Sequence, residues 1–87
     1  MGFVVREIQP TPNPNAMKFI LDRRISENPA SFFTPDQAKD HPLVSKLFAI
    51  AGVSNILLLG DFVTIGKIAG ARWSDINGQV KRVLSGG

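Results

Sequence analysis

The side chains that most often catalyse reactions or hold metal ions are few in this sequence, and they are not grouped as such sites require. His41 is the only histidine, and no companion ligand lies at the spacing of a standard zinc site. The sequence has no cysteine, which excludes disulfides, thiolate nucleophiles and cysteine-ligated metals within these 87 residues. The carboxylates are not paired for acid–base catalysis, and the serines and glycines form no nucleophile or phosphate-binding motif. We therefore expect a protein that is not an enzyme and binds no cofactor itself.

The most distinctive segment is Pro10-Thr11-Pro12-Asn13-Pro14-Asn15, in which prolines at alternate positions fix the backbone and remove N–H donors. One interpretation is a rigid corner in which Asn13 and Asn15 bond to their own backbone as Asx turns. The other is a preorganised surface that offers polar groups to a partner at little cost in entropy. The second interpretation predicts contacts to a partner through Thr11, Pro12, Asn13, Pro14, Asn15 and Lys18, and less strongly through Gly60 and Asp61 at another turn.

The pattern of apolar residues predicts the elements that would position these side chains. Strands are expected over 3–9, 16–21, 53–59 and 62–68, and helices over 42–51 and 72–84. Gly60-Asp61 suits a two-residue hairpin between the last two strands, and Gly52 suits the end of the first helix. Trp73 falls on the apolar stripe of the second helix, which indicates a core position, with an interface anchor as the alternative.

The polar stretch 22–41 reads as a long connection. Asn28-Pro29 indicates a turn, and Thr34 begins a capping-box pattern that predicts a short helical turn. Phe32 and Phe33 are expected to fix the connection to the core, and His41 occupies the N-cap position before Pro42.

The order β-β-α-β-β-α predicts one α+β domain over 1–87. We expect a two-layer sandwich, with a mainly antiparallel four-stranded sheet and two helices on one face. The sequence leaves open which face is covered, because alternate residues of the first strand are nearly equal in polarity. With no signal-peptide pattern and no apolar run long enough to span a membrane, the expected location is the cytoplasm.

The charge leaves two further functions open. The net charge is +3, and the basic residues are scattered, so nucleic-acid binding would require Arg23, Arg24, Lys81 and Arg82 to converge in space. A weak iron carrier would instead use oxygen ligands such as Asp36, Asp40 and Asp61.

Three parts of the sequence resemble the N-terminal domain of Nfu/NifU-type iron–sulfur cluster scaffold proteins. They are Pro10–Phe19 (PTPNPNAMKF), His41–Lys67 (HPLVSKLFAIAGVSNILLLGDFVTIGK), and Trp73 with Ile76. The resemblance covers about residues 5–84. His41 and Ala51 depart from the family pattern, which has a serine-like and a proline-like residue at those positions.

The resemblance implies a role in iron–sulfur cluster assembly or delivery. In this family the cluster is held by a separate domain with a Cys-x-x-Cys motif, which is absent from this sequence. The resemblance therefore implies an accessory module that binds no cluster itself and recognises assembly partners or apo-client proteins.

Overall fold

The computed structural model describes residues 2–86, which form a five-stranded antiparallel sheet, two α-helices and one short 3₁₀ helix. The elements, in chain order, are β1 (Val5–Pro10), β2 (Ala16–Leu21), β3 (Ser26–Phe32), the 3₁₀ helix (Pro35–Ala38), α1 (Pro42–Phe48), β4 (Val53–Gly60), β5 (Phe62–Lys67) and α2 (Trp73–Leu84). The α+β class and the predicted strands and helices are confirmed, with boundaries that differ by at most three residues.

The prediction of a four-stranded sheet is wrong, because Ser26–Phe32 forms a fifth strand. The strand order is β1-β2-β5-β4-β3, so β3 lies at an edge and pairs only with β4. Pro29 falls where the pairing register shifts between Ser26 and Ala30. An edge strand with an irregularity tolerates a proline, since the missing N–H would face away from the sheet. The polar sequence and the Asn28-Pro29 pair therefore indicated a turn where there is a strand.

The sheet register decides which side chains face the helices. Phe19 of β2 pairs with Val63 of β5, and Val63 pairs with Leu58 of β4, so the three share one face. In β1 the register shifts between Val5 and Glu7. As a result Val5 and Ile8 both pair with core-facing residues of β2 although they are three positions apart. This irregularity explains why alternation alone did not reveal the covered face of β1.

Both helices bury their apolar stripes in the same core as this sheet face. The fully buried side chains form one cluster that includes Phe19, Leu21, Val44, Leu47, Ile56, Ile65, Ile76, Val80 and Leu84. The two helices also contact each other. Neither is long and apolar enough to cross a membrane, in the part of the chain that the structure describes.

The predicted signals for the helix starts are confirmed. Thr34 accepts a hydrogen bond from the Gln37 backbone N–H at the start of the 3₁₀ helix. The Nδ1 atom of His41 accepts from the Val44 N–H at 3.4 Å, so His41 is the N-cap of α1. Gly52 has the positive φ that was predicted, 95°, but α1 ends at Phe48 with Ala49 as its C-cap, so Gly52 lies in the turn before β4 and not at the helix end. Of the two phenylalanines before Thr34, Phe32 packs against the core, whereas Phe33 is 64% exposed and does not fix the connection to the core.

The opposite face of the sheet carries no helix within residues 2–86. Its central side chains are half-buried and mainly apolar: Ile20, Leu57, Leu59 and Phe62, with Lys18 and Thr64 beside them. Gly66 lies on this face where the Asn55 carboxamide covers the strand.

Candidate functional site

The loop Thr11–Asn15 between β1 and β2 is held by its own polar groups. The Thr11 hydroxyl accepts from the Asn13 N–H and lies 2.8 Å and 3.0 Å from the carbonyl oxygens of Asn13 and Ala16, to which it can donate. Asn13 Oδ1 accepts from the Asn15 N–H at 2.9 Å, which is an Asx turn. The Ala16 N–H donates back to the Asn13 carbonyl at 3.0 Å. The three prolines supply the remaining rigidity.

Two side chains from distant positions fix this loop to the rest of the fold. Lys67 Nζ at the end of β5 donates to Asn15 Oδ1 at 2.8 Å, and the Lys67 backbone N–H donates to the Asn15 carbonyl at the same distance. Trp73 Nε1 at the start of α2 donates to the Pro14 carbonyl at 3.0 Å. The ammonium of Lys67 also lies 5.8 Å from the centre of the Trp73 ring. The loop is therefore attached to both the sheet and the second helix.

This geometry combines the two interpretations of the loop. Asn13 makes the predicted Asx turn, but the Asn15 side chain bonds to Lys67 rather than to its own backbone. Both carboxamide oxygens are thus used inside the molecule. Across residues 2–86 the two Nδ2 groups donate to no protein acceptor, and the rings of Pro12 and Pro14 are exposed beside them. The loop presents two amide donors and two apolar rings on a fixed backbone.

The other predicted contact residues lie at a different place. Lys18 is on the open face of the sheet, where its Nζ sits 4.1 Å from the centre of the Phe62 ring. Gly60 and Asp61 form the β4–β5 turn, with Gly60 at a φ of 57°. That turn is at the opposite end of β5 from Lys67, about 17 Å away at the usual rise of a strand. The structure therefore divides the predicted set into the loop, Lys18 on the open face in the middle of the sheet, and the turn at the far end of the sheet.

Sequence reasoning missed Lys67 and Trp73 as partners of the loop. Trp73 was predicted to be a core residue, and its ring is in fact half-buried, with the indole N–H directed at the loop. No local pattern connects positions 14 and 73, which are 59 residues apart. The sequence places Trp73 in the first turn of α2, but it does not indicate that this turn lies beside the loop.

The residues proposed for the two alternative functions are distributed unequally. Lys81 and Arg82 line one groove together with Phe3, and Arg23 lies over the Phe3 ring at 4.3 Å, so Phe3 is a common neighbour of that groove and of a third basic residue. The three aspartates proposed as iron ligands are not assembled: no group of three acidic or histidine side chains fit to hold a metal ion occurs in the described part of the chain.

One carboxyl has a perturbed pKa. The Val4 N–H donates to Asp22 Oδ1 at 2.9 Å, and this hydrogen bond, helped by the nearby Arg23 and Arg6 and opposed by desolvation, holds the pKa of Asp22 below its usual value. The Asp22 N–H in turn donates to the Val4 carbonyl. This reciprocal pair fixes the segment before β1 to the end of β2.

Comparison with known proteins shows the family of this chain. The family described as "Scaffold protein Nfu/NifU N terminal" matches residues 5–86. Over 80 residues the chain is 38% identical to the NFU1 iron-sulfur cluster scaffold homolog, mitochondrial, of Drosophila erecta, with 90% of this chain and 28% of that protein aligned. It is 35% identical to the YpgR protein of Bacillus subtilis (strain 168), with 88% of this chain and 21% of that protein aligned.

A solved structure supports the fold. The NifU-like protein of Saccharomyces cerevisiae superposes with a TM-score of 0.82 at 22% identity, with 93% of this chain and 76% of that chain covered. The chain spans only about a fifth to a quarter of the length of the two curated relatives. The match over residues 5–86 establishes that the chain belongs to the Nfu/NifU N-terminal domain family.

Proposed function

We propose that this domain is a non-catalytic accessory module that recognises protein partners in iron–sulfur cluster assembly or delivery, while the cluster itself is held by another protein or domain. Membership of the Nfu/NifU N-terminal family and similarity to an iron–sulfur scaffold homolog support a role in iron–sulfur cluster biology. The sequence has no cysteine, which is the usual ligand of such clusters. The proposed partners are assembly proteins or apo-clients in the cytoplasm.

The observation that carries the proposal is the prebuilt loop Thr11–Asn15. Its internal hydrogen bonds and its attachment to Lys67 and Trp73 are made without a partner. A partner would then meet the exposed amide group of Asn13, the half-buried amide group of Asn15 and the exposed rings of Pro12 and Pro14. Because the loop is already ordered, little conformational entropy is lost on binding.

The test is affinity capture from native cytoplasmic extract, with bound proteins identified by mass spectrometry, using the double variant Asn13→Asp/Asn15→Asp. Aspartate keeps the oxygen that accepts the internal hydrogen bonds but removes the outward amide donors. Glu27→Gln is the matched control, since it makes the reverse change, from carboxylate to amide, on an exposed side chain of β3 that is not among the predicted contacts. Asp61→Asn separately tests the second predicted site.

Enrichment of cluster-assembling or cluster-receiving proteins by the wild-type domain and by the control, with loss in the double variant, is the expected result. Equal capture by the double variant would remove the loop as the contact surface. Absence of any such proteins among those captured would overturn the proposed role.

A further inference from the structure

A groove of about 460 Å³ lies between the segment that leads into β1 and the C-terminal half of α2. Its floor is apolar, and Val4 is 60% exposed there. On the helix side the groove is open at Gly78, where a Cβ atom would have no neighbouring atom within 4 Å. The residues that shape the groove are Phe3, Val4, Val5, Gly78, Lys81, Arg82 and Ser85.

The rim of the groove is basic. Lys81 and Arg82 are exposed, and within residues 2–86 neither forms a salt bridge. Arg23 lies over the ring of Phe3 at 4.3 Å and so places a third cation beside one residue of the groove. The Asp22 carboxylate lies 3.5 Å from Arg23 and pairs with it. It does not compensate the charges of Lys81 and Arg82. The groove therefore combines an apolar floor with an excess of positive charge.

The groove is preformed. The Phe3 N–H donates to the Leu84 carbonyl at the end of α2, and Val4 and Asp22 exchange two hydrogen bonds. These contacts fix both walls relative to each other in the absence of a ligand. β1, which continues from this segment, is an edge strand, so an extended chain can run beside it without displacing another strand.

We propose that this groove binds an extended acidic peptide segment of a protein partner, in which apolar side chains lie among glutamate and aspartate. The inference rests on the proposed partner-recognition function and names a second contact surface with its chemistry. Carboxylates of the peptide pair with Lys81 and Arg82, and its apolar side chains cover Val4 and Val5. Single-stranded nucleic acid fits less well, because it needs exposed aromatic faces for its bases, whereas Arg23 covers a face of Phe3 and the rest of the floor is aliphatic.

The test is fluorescence anisotropy with the purified domain and a labelled peptide of interspersed Glu, Asp, Leu and Phe. Two comparison peptides have lysine for every acidic residue or serine for every apolar residue, and labelled oligo-dT represents nucleic acid. The variants are Lys81→Glu/Arg82→Glu and, as a matched control for charge, Lys39→Glu/Lys46→Glu. Gly78→Leu fills the groove while favouring the helix, so its effect on binding is separate from any loss of folding.

We expect the acidic apolar peptide to bind most tightly, to lose about tenfold in affinity with Lys81→Glu/Arg82→Glu, and to be unaffected by the control pair. Gly78→Leu should abolish binding while the melting temperature stays the same or rises. Tighter binding of oligo-dT, or peptide affinity that neither groove variant changes, would overturn the assignment. If the peptide fails while capture still depends on Asn13 and Asn15, only the groove is refuted; if capture fails while the peptide binds, only the iron–sulfur role is refuted.

Discussion

The Thr11 hydroxyl offers the sharpest test of how the loop is held. Thr11→Val keeps the shape of the side chain but removes a group that donates towards the carbonyls of Asn13 and Ala16 and accepts from the Asn13 N–H. Thr11 is half-buried, and water can reach Asn13 and satisfy part of what is lost. Taking a typical net value for a hydrogen bond, we expect the free energy of unfolding to fall by about 1–1.5 kcal/mol. For a domain of this size that lowers the melting temperature by about 4–12 °C.

The assay is urea denaturation followed by Trp73 fluorescence, together with amide hydrogen exchange. Loosening of the loop should speed exchange at Asn13 and Ala16, whose N–H groups bond within it, while the amides of β4 and β5 change less. Thr11→Ser is the matched control, because it keeps the hydroxyl and loses only a half-buried methyl group. A stability of Thr11→Val within about 0.3 kcal/mol of wild type, or a loss in Thr11→Ser as large as in Thr11→Val, would refute the reasoning.

Three further predictions concern other contacts. Trp73→Phe keeps an aromatic ring but removes the donor to the Pro14 carbonyl, so the free energy of unfolding should fall by about 1 kcal/mol in urea denaturation; no change would show that the bond contributes nothing. Gly66→Ala places a Cβ against the Asn55 carboxamide and should cost about 1–3 kcal/mol, and adding Asn55→Ala should recover part of it; a double variant no better than the single one would contradict the proposed clash. Because the folded-state pKa of Asp22 is lowered, its contribution to stability is present above the ordinary aspartate pKa of 3.8 and is lost as the pH falls through the lower folded value. Asp22→Asn should therefore reduce the dependence of the free energy of unfolding on pH in that acidic range. An unchanged dependence on pH would contradict this.

The loop and the groove differ in the chemical groups that they present to a partner. The loop uses its two carboxamide oxygens in hydrogen bonds within the domain and presents amide donors and two proline rings to a partner. The groove instead leaves two cations without a salt-bridge partner, within residues 2–86, beside exposed apolar side chains. The groove therefore discriminates between partners by their charge, whereas the loop discriminates between them by the position of its donors. The two sets of variants therefore report on different properties of the partner.

The sequence by itself determined the elements whose signals are local. Thr34 and His41 mark helix starts through hydrogen bonds that involve only a few neighbouring residues, and Gly52 takes its positive φ in the turn before β4. The Gly60-Asp61 hairpin, the apolar stripes of both helices and the family resemblance are likewise contained in short stretches of chain. The structure contains these predicted features because the local preferences of the sequence agree with the final fold.

The tertiary structure decided what depends on distant partners. The strand that contains Pro29 exists because β4 offers it an edge, and its own sequence is that of a connection. The register shift after Val5 sets the covered face of β1, which regular alternation could not reveal. The loop's attachment to Lys67 and Trp73 arises only when β5 and α2 are brought beside it, since residues 52 and 59 positions apart are joined by packing and not by pattern.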